Sequence, residues 1–373
     1  MKSGAAPRVA VAHEWLIRYA GSERVVEELV EAFGVERLLT TVVKPSAIPA
    51  SLRGASPSFL QRLPGATEHH EWLLPLMPLA WRLRDPIDGV EAVVSSSHAC
   101  AKAVRVAGGI PHICYCHTPM RYAWDFDSEA ERFPPALRLP ARASMRLFRR
   151  WDRGVADRIT RFVANSSAVA ERIRRAYGRE AEVVFPPVRT EWFTPGEHAE
   201  RESFLYTGRL VAYKRARLVV EAFRDLPHEL VVVGEGQLRE ELESTAPSNV
   251  RFVGTVDEQE LRRLYRHAIA LVYPAEEDFG IVMAEAQACG TPVVALRRGG
   301  ALDIVEHGVT GWLIDEQDVG QLRAAIRAAV DAAARGELDS AEIARRAQRF
   351  TAARFRGEMR RIVVEAISRP RPR

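Results

Sequence analysis

Short apolar runs alternate with amphipathic stretches along the whole chain. In the first half RVAVAH (8–13), AVVSSS (92–97), HICYCH (112–117) and RFVANSS (161–167) are apolar runs of strand length. Between them SERVVEELVEAF (22–33) and SAVAERIRRAY (167–177) set apolar residues three and four apart, the spacing of one helix face. In the second half SFLYTGR (203–209), ELVVVGEG (229–236), VRFVG (250–254), IALVYPA (269–275) and TPVVAL (291–296) repeat the pattern. Strand then helix, many times over, predicts an α/β fold of parallel, doubly wound sheets with right-handed crossovers. The strands end in Gly, Ser, Asn, His or Pro, which suits ligand-binding loops at their carboxyl ends.

The stretch VVFPPVRTEWFTPGEHAERES, about 183–203, interrupts this pattern with prolines, a Pro-Gly pair and a charged run. It reads as a linker between halves of similar size, and 373 residues exceed one ordinary core. The expectation is two Rossmann-like domains, 1–190 and 191–350, facing each other across a cleft. A last helix at about 340–367 exceeds what the second sheet needs, so 350–373 is a candidate for packing back on the first domain.

Composition narrows the class. Hydrophobic residues are 47% and charged residues 27%, the profile of a folded globular protein. No apolar run approaches the roughly 20 residues of a membrane helix. The N-terminus passes from a short polar leader into the first strand, which is no signal peptide, so the cytoplasm is expected. The net charge of +4 is modest, and no nucleic-acid partner is expected. Of 53 basic residues only Lys2, Lys44, Lys102 and Lys214 are lysines. In so arginine-rich a chain a single arginine says little, while Lys214 gains weight from its position. His112, Cys114, Cys116 and His117 crowd one strand, but C-x-C puts both thiols on one face, and no second ligand pair follows. Buried free thiols are expected there; the other cysteines are Cys100 and Cys289.

The densest chemistry lies in PAEEDFGIVMAEAQACGTP (274–292). Helical spacing puts Ile281, Glu285 and Ala288 on one stripe, beside the apolar stripe of Val282, Ala286 and Cys289. A carboxylate among such positions needs hydrogen-bond donors, from an arginine of the protein or from a ligand. In YTGRLVAYK (206–214) a strand ends at Gly208, and Arg209 and Lys214 follow beside backbone N–H groups, an arrangement suited to a diphosphate. A pair of solvated charges is the competing reading. AGSERVVEEL (20–29) reads as a small-residue loop entering a helix, with Gly21 open to a ligand and Ser22 as N-cap. VVGEGQLREEL (232–242) has G-x-G but Arg239 where a dinucleotide fingerprint has its third glycine, so it reads as a tight turn. WDFD (124–127) contains D-x-D, but it follows PMRYAW, which is no buried strand, and no metal is assigned to it.

Together these stretches resemble the retaining glycosyltransferases of family 4, which have the GT-B fold. GRLVAYK, FVGTVDEQELRRLYRHAIALVYPAEEDFGIVMAEAQACGTPVVA and GVTGWL follow the family pattern. HEWL, GSERVV, SSSHACAK, YCHTPMRYAWD, ANSS and FPPV are similar to a narrower group that assembles cell-surface polysaccharide or glycolipid, several of them mannosyltransferases using GDP-mannose. Two positions depart: Ala20-Gly21-Ser22-Glu23 replaces Gly-Gly-Ala-Glu, and Asp303 stands where Glu is usual. The resemblance implies that Glu285 holds the ribose hydroxyls and Glu277 the hydroxyls of the donor sugar. It gives Phe279, Gly280 and Ile281 as backbone N–H donors to sugar and phosphate, and Arg209, Lys214 and Gly21 as the diphosphate site. His117 corresponds to a histidine near the donor sugar.

The implied reaction is transfer of a hexosyl group, best guessed as mannose from GDP-mannose, to a glycan, glycolipid or lipid-linked acceptor. No metal and no cofactor are expected beyond the nucleotide-sugar substrate. With no carboxylate assignable as a covalent nucleophile, retention points to front-face substitution. The alternatives are a UDP-sugar-dependent transferase with a small-molecule acceptor, a sugar-nucleotide epimerase of the same fold, and a non-catalytic sensor. LRLPARASMRLFRRWDRG (137–154) sets Arg142, Arg146, Arg149 and Arg153 on one helical face among Leu139, Met145, Leu147 and Phe148. With WLLPLMPLAWRLR (72–84) it makes an anionic membrane surface a candidate partner, and peripheral attachment to the inner face of the plasma membrane a candidate location.

Overall fold

The computed structural model describes residues 6–124, 138–196 and 201–368. The chain forms two compact units, Met1–Pro187 with Ala352–Arg373, and Val188–Thr351. The first unit holds strands β1 (Val9–His13), β2 (Arg37–Thr40), β3 (Ala92–Ser97), β4 (His112–Cys116), β5 (Arg161–Ala164) and β6 (Ala181–Val183). They form one sheet in the order β2-β1-β3-β4-β5-β6, and every pairing is parallel.

Alternation along β1 assigns its two faces. Val9 and Val11 join a core built from Val25, Val26, Leu29 and Phe33 of helix Gly21–Phe33 and Phe355, Met359, Ile362 and Val363 of helix Ala352–Ser368. Ala10 and Ala12 face a second cluster around Leu60, Met77 and Trp81. Each large apolar side chain so buried contributes about 1.5–3 kcal/mol.

The second unit holds β7 (Ser203–Thr207), β8 (Glu229–Val233), β9 (Val250–Gly254), β10 (Ala268–Tyr273), β11 (Val293–Leu296) and β12 (Gly311–Ile314). The order is β12-β11-β10-β7-β8-β9, again all parallel. The long last helix expected from the sequence is two helices, Ser340–Ala347 and Ala352–Ser368. Thr351 between them is extended and bridges Val188, and Phe350 accepts the Val188 N–H at 2.8 Å. The helical run breaks there because the chain leaves one unit for the other.

Candidate active site

In the second unit the strand order reverses between β7 and β10, the place where doubly wound sheets bind ligands. Lys214 follows β7 in a short turn, and Glu277 follows β10 by four residues. The Lys214 ammonium pairs with Glu277 Oε1. The Tyr273 hydroxyl donates to the same oxygen at 2.9 Å. Burial first, then the Glu277 charge, pushes the Tyr273 phenol well above its ordinary value, which keeps it a donor. Tyr206 stacks on Tyr273, centroids 5.8 Å apart, and donates its hydroxyl to the Lys214 carbonyl at 3.2 Å. Arg209 is exposed, and its guanidinium donates to the Tyr213 hydroxyl. The Lys214 ammonium lies 5.3 Å from the Tyr213 ring centre, so both cations share one aromatic neighbour.

Two glycines fix the Glu277 loop. A Cβ on Gly299 would lie 2.2 Å from the Glu277 carbonyl oxygen, and one on Gly300 would lie 2.1 Å from that of Phe279. Gly300 N–H instead donates to the Glu277 carbonyl at 2.9 Å. Phe279 packs edge-on against Phe350. Gly280 caps helix Ile281–Ala288, whose first turn leaves N–H groups without intrahelical partners. The helix is buried from Met283 onward, with Glu285 and Gln287 as its two polar side chains. Glu285 is only 5% exposed, and the Tyr265 hydroxyl lies 3.4 Å from its Oε2, a long contact. The G-x-G at Gly234 and Gly236 serves packing: a Cβ on Gly234 would lie 2.0 Å from the Gly208 carbonyl oxygen.

In the first unit the order reverses between β1 and β3. His13, Ser96 and His117 meet at the carboxyl ends of β1, β3 and β4, and the rings of His13, His98 and His117 lie 6.1–6.5 Å apart. Burial, then the charges of His98 and His13, holds His117 well below the ordinary imidazole value. Glu14 is fully buried beneath this cluster. Its carboxylate accepts from the Ser97 hydroxyl at 2.8 Å and from the backbone N–H groups of His98, Ala99, Cys100 and Ala101. Nearby, Lys102 pairs with Asp152 at 2.8 Å, both buried. Asp152 also accepts from Trp124 Nε1 at 2.8 Å and the Tyr177 hydroxyl at 2.7 Å. Burial opposes the Lys102 charge, yet the Asp152 carboxylate outweighs it and raises the ammonium pKa.

Gly21 opens helix Gly21–Phe33 and is part of its first turn, not of a loop before it. Ser22 is therefore not the N-cap; Ala20 holds that position. Glu23 takes over the capping, accepting from the Ala20 N–H at 3.1 Å and the Ser22 hydroxyl at 3.0 Å. Burial disfavours the Glu23 charge, but His13, its own turn and Ser22 outweigh that and hold the carboxyl at about 2.

Of the sequence-derived candidates, Arg209, Lys214, Glu277, Phe279, Gly280, Ile281 and Glu285 belong to the second unit, and Gly21 and His117 to the first. The direct pairing is Lys214 with Glu277. Tyr206, Tyr213, Tyr273, Gly299 and Gly300 went unnoticed, as did Ser96 and Glu14. Each lies at or just after a strand end, and Glu14, Ser96, Tyr206 and Tyr213 lie inside HEWL, SSSHACAK and YTGRLVAYK without being singled out there. Asp125 and Asp127 of WDFD lie outside the described residues. Among the described residues, no group of three or more His, Cys, Asp or Glu has the placement to hold a metal ion. Cys114 and Cys116 are buried on one face of β4 with Phe162 and Ile173.

Helix Arg138–Ala156 departs from the basic face expected of it. Arg149 donates to the Ala123 carbonyl, Arg153 donates to the Ala176 carbonyl at 3.0 Å, and Met145 and Phe148 pack on the core. Leu139 has no described side chain. Arg142, Arg146 and Leu147 are exposed, as are Trp72 (78%) and Leu83. Among the described residues no helix is long and apolar enough to cross a membrane.

The family model described as "Glycosyltransferase Family 4" matches residues 19–192, and that described as "Glycosyl transferases group 1" matches 188–347. A D-inositol 3-phosphate glycosyltransferase of Mycobacterium sp. (strain KMS) is 33% identical over 44% of this chain and 44% of its own length. One from Mycobacterium tuberculosis (strain ATCC 25177 / H37Ra) is 30% identical over 53% of this chain and 47% of its own. The chain thus matches about half the length of these curated relatives. Among solved structures, Anabaena Alr3699/HepE in complex with UDP and glucose superposes with a TM-score of 0.72 at 16% identity, covering 96% of this chain and 100% of its own. Sucrose-phosphate synthase from Thermosynechococcus elongatus superposes with a TM-score of 0.71 at 19% identity, covering 97% and 100%.

Proposed function

The chain belongs to glycosyltransferase family 4 and has the GT-B fold, and from that premise we propose that it moves a hexosyl group from a nucleoside diphosphate sugar to an acceptor hydroxyl with retention. The observation that carries this reading is the Lys214–Glu277 pair at the β7/β10 reversal, with Arg209 beside it. A leaving diphosphate develops negative charge, and Lys214 and Arg209 supply fixed positive charge for it without a metal ion. Glu277 is then released from Lys214 to accept from sugar hydroxyls, while Glu285 accepts from the ribose. Phe279, Gly280 and Ile281 add backbone N–H groups, Gly21 adjoins the diphosphate, and His117 contacts the donor sugar. No side chain is assigned as covalent nucleophile, so the leaving phosphate takes the acceptor proton on the face it departs from.

The preferred donor is GDP-mannose and the preferred acceptor a glycan, glycolipid or lipid-linked sugar. Exposed Trp72, Leu83, Leu147, Arg142 and Arg146 support contact with an anionic membrane surface. A second reading, a UDP-sugar donor with a small phosphorylated polyol acceptor, draws on the printed names of the relatives. Thermal shift with GDP, UDP and ADP sugars separates the two, since a ligand at a hundred times its Kd adds about 2.7 kcal/mol. Stabilisation by GDP-mannose, with slow hydrolysis that survives chelator, supports the first reading. A shift confined to UDP sugars supports the second, and no shift with any of them overturns both.

A further inference from the structure

The protons of the His13–Ser96–His117 chain can be placed from their partners. His13 and Ser96 are fully buried and sit opposite each other across β1 and β3. His13 Nδ1 lies 3.1 Å from the Ser96 carbonyl oxygen and 3.1 Å from the Ser96 hydroxyl. A carbonyl oxygen can only accept, so His13 Nδ1 carries a proton. The Ser96 hydroxyl has one other partner among the described residues, His117 Nε2 at 2.8 Å. A buried hydroxyl with no acceptor for its proton costs about 1–3 kcal/mol. Since His13 is the donor on one side, the Ser96 proton goes to His117. Nε2 of His117 is then the lone-pair nitrogen, and the neutral ring bears its proton on Nδ1.

His13 Nε2 is buried without a hydrogen bond, and the Glu23 carboxylate faces it at 3.8 Å. Glu23 is itself held by the Ala20 N–H and the Ser22 hydroxyl, which fixes its charge beside the His13 ring.

We infer that Ser96 and His13 are positioning residues that hold His117 as its Nδ1–H tautomer, so that it offers the donor sugar a hydrogen-bond donor and no base. This rests on the reading that His117 contacts that sugar. With its lone pair occupied by Ser96, His117 cannot take the acceptor proton. It recognises an oxygen of the hexose, and the proton is left to the departing phosphate.

The test combines nitrogen NMR of the histidine rings with kinetics. His117, assigned by the loss of its signals in His117→Gln, should be protonated on Nδ1 in the wild-type protein. Protonation on Nε2 would overturn the inference, and this spectrum decides the tautomer even if variants fold poorly. Ser96→Ala should shift the tautomer and lower kcat about tenfold or more, with affinity for free nucleotide unchanged. Ser96→Thr, which keeps the hydroxyl, should restore both. A shifted tautomer with unchanged kcat would end the positioning role. Unchanged turnover in His117→Gln would refute the sugar contact while leaving the tautomer assignment intact.

Discussion

Both units bring polar groups to the point where strand order reverses, yet they handle charge differently. In the first unit Glu14, Lys102 and Asp152 are sealed in and partnered from within by backbone N–H groups, hydroxyls and one another. In the second the Lys214 and Glu277 side chains remain 16% and 17% exposed, and Arg209 is open. A sealed charge with all its bonds made is scaffold, because any exchange of partner passes through an unpaired buried ion. A half-open pair can trade partners, since water or a ligand can take up each charge as it separates. The contrast sets a closed set of charges apart from a pair that a ligand can reach.

The largest expected effect breaks the sealed set. Asp152→Ala leaves Lys102 buried without its carboxylate and should destabilise the protein by about 3–5 kcal/mol in denaturant unfolding. Free-nucleotide affinity of the folded fraction should stay within about twofold; a larger loss would mean the first unit's buried charges also serve the nucleotide site. Next comes Glu23, whose folded carboxyl is held at about 2 against an ordinary 4.5. A depressed carboxyl stabilises the fold above its unfolded value and loses that contribution as pH falls through the folded one. The difference corresponds to about 3 kcal/mol, lost between about pH 4.5 and 2. Glu23→Gln should flatten the acid limb of the stability curve by that amount, and an unchanged limb would refute the linkage.

Lys214→Ala should invert the pattern, with turnover down about a hundredfold, or about 2.7 kcal/mol, and unfolding changed by no more than about 1 kcal/mol. Loss of folding instead of turnover would place the pair among the scaffold charges. The smallest effect sharpens the division inside the second unit. Glu285→Gln should weaken free GDP or UDP about tenfold, as for one charge-assisted hydrogen bond. Glu277→Ala should spare free nucleotide and lower turnover of the sugar nucleotide. Calorimetry showing both variants equally weak for free nucleotide would remove the assigned roles.

Central strands were legible in the sequence because they are continuous apolar runs. Those that escaped notice, β2, β6 and β12, include both edges of the first sheet and one edge of the second. An edge strand is covered on one side only, and Ala181–Val183 is three residues with no apolar run. Lys214 and Glu277 were legible because a rare lysine and a carboxylate in an apolar stretch are chemically out of place. Tyr206 and Tyr273 were not, since a buried tyrosine at a strand end looks like core until its hydroxyl is seen to reach a partner. The Glu14 carboxylate bonds and the His13–Ser96 bond join residues 83 or more positions apart, which spacing along a chain cannot reveal.

The helix Ala352–Ser368 shares one side of the first unit's core with helix Gly21–Phe33, and its Arg356 reaches back 328 positions to Glu28. On the ribosome, the sheet that begins at Val9 therefore waits with one apolar face only partly covered while the whole second unit is made. At roughly 5–20 residues per second that delay is on the order of ten seconds. The second unit is contiguous and can close first. The order of completion is thus the reverse of the order of synthesis, and the window before the last helix emerges is when the nascent chain is most exposed to aggregation and most in need of a chaperone.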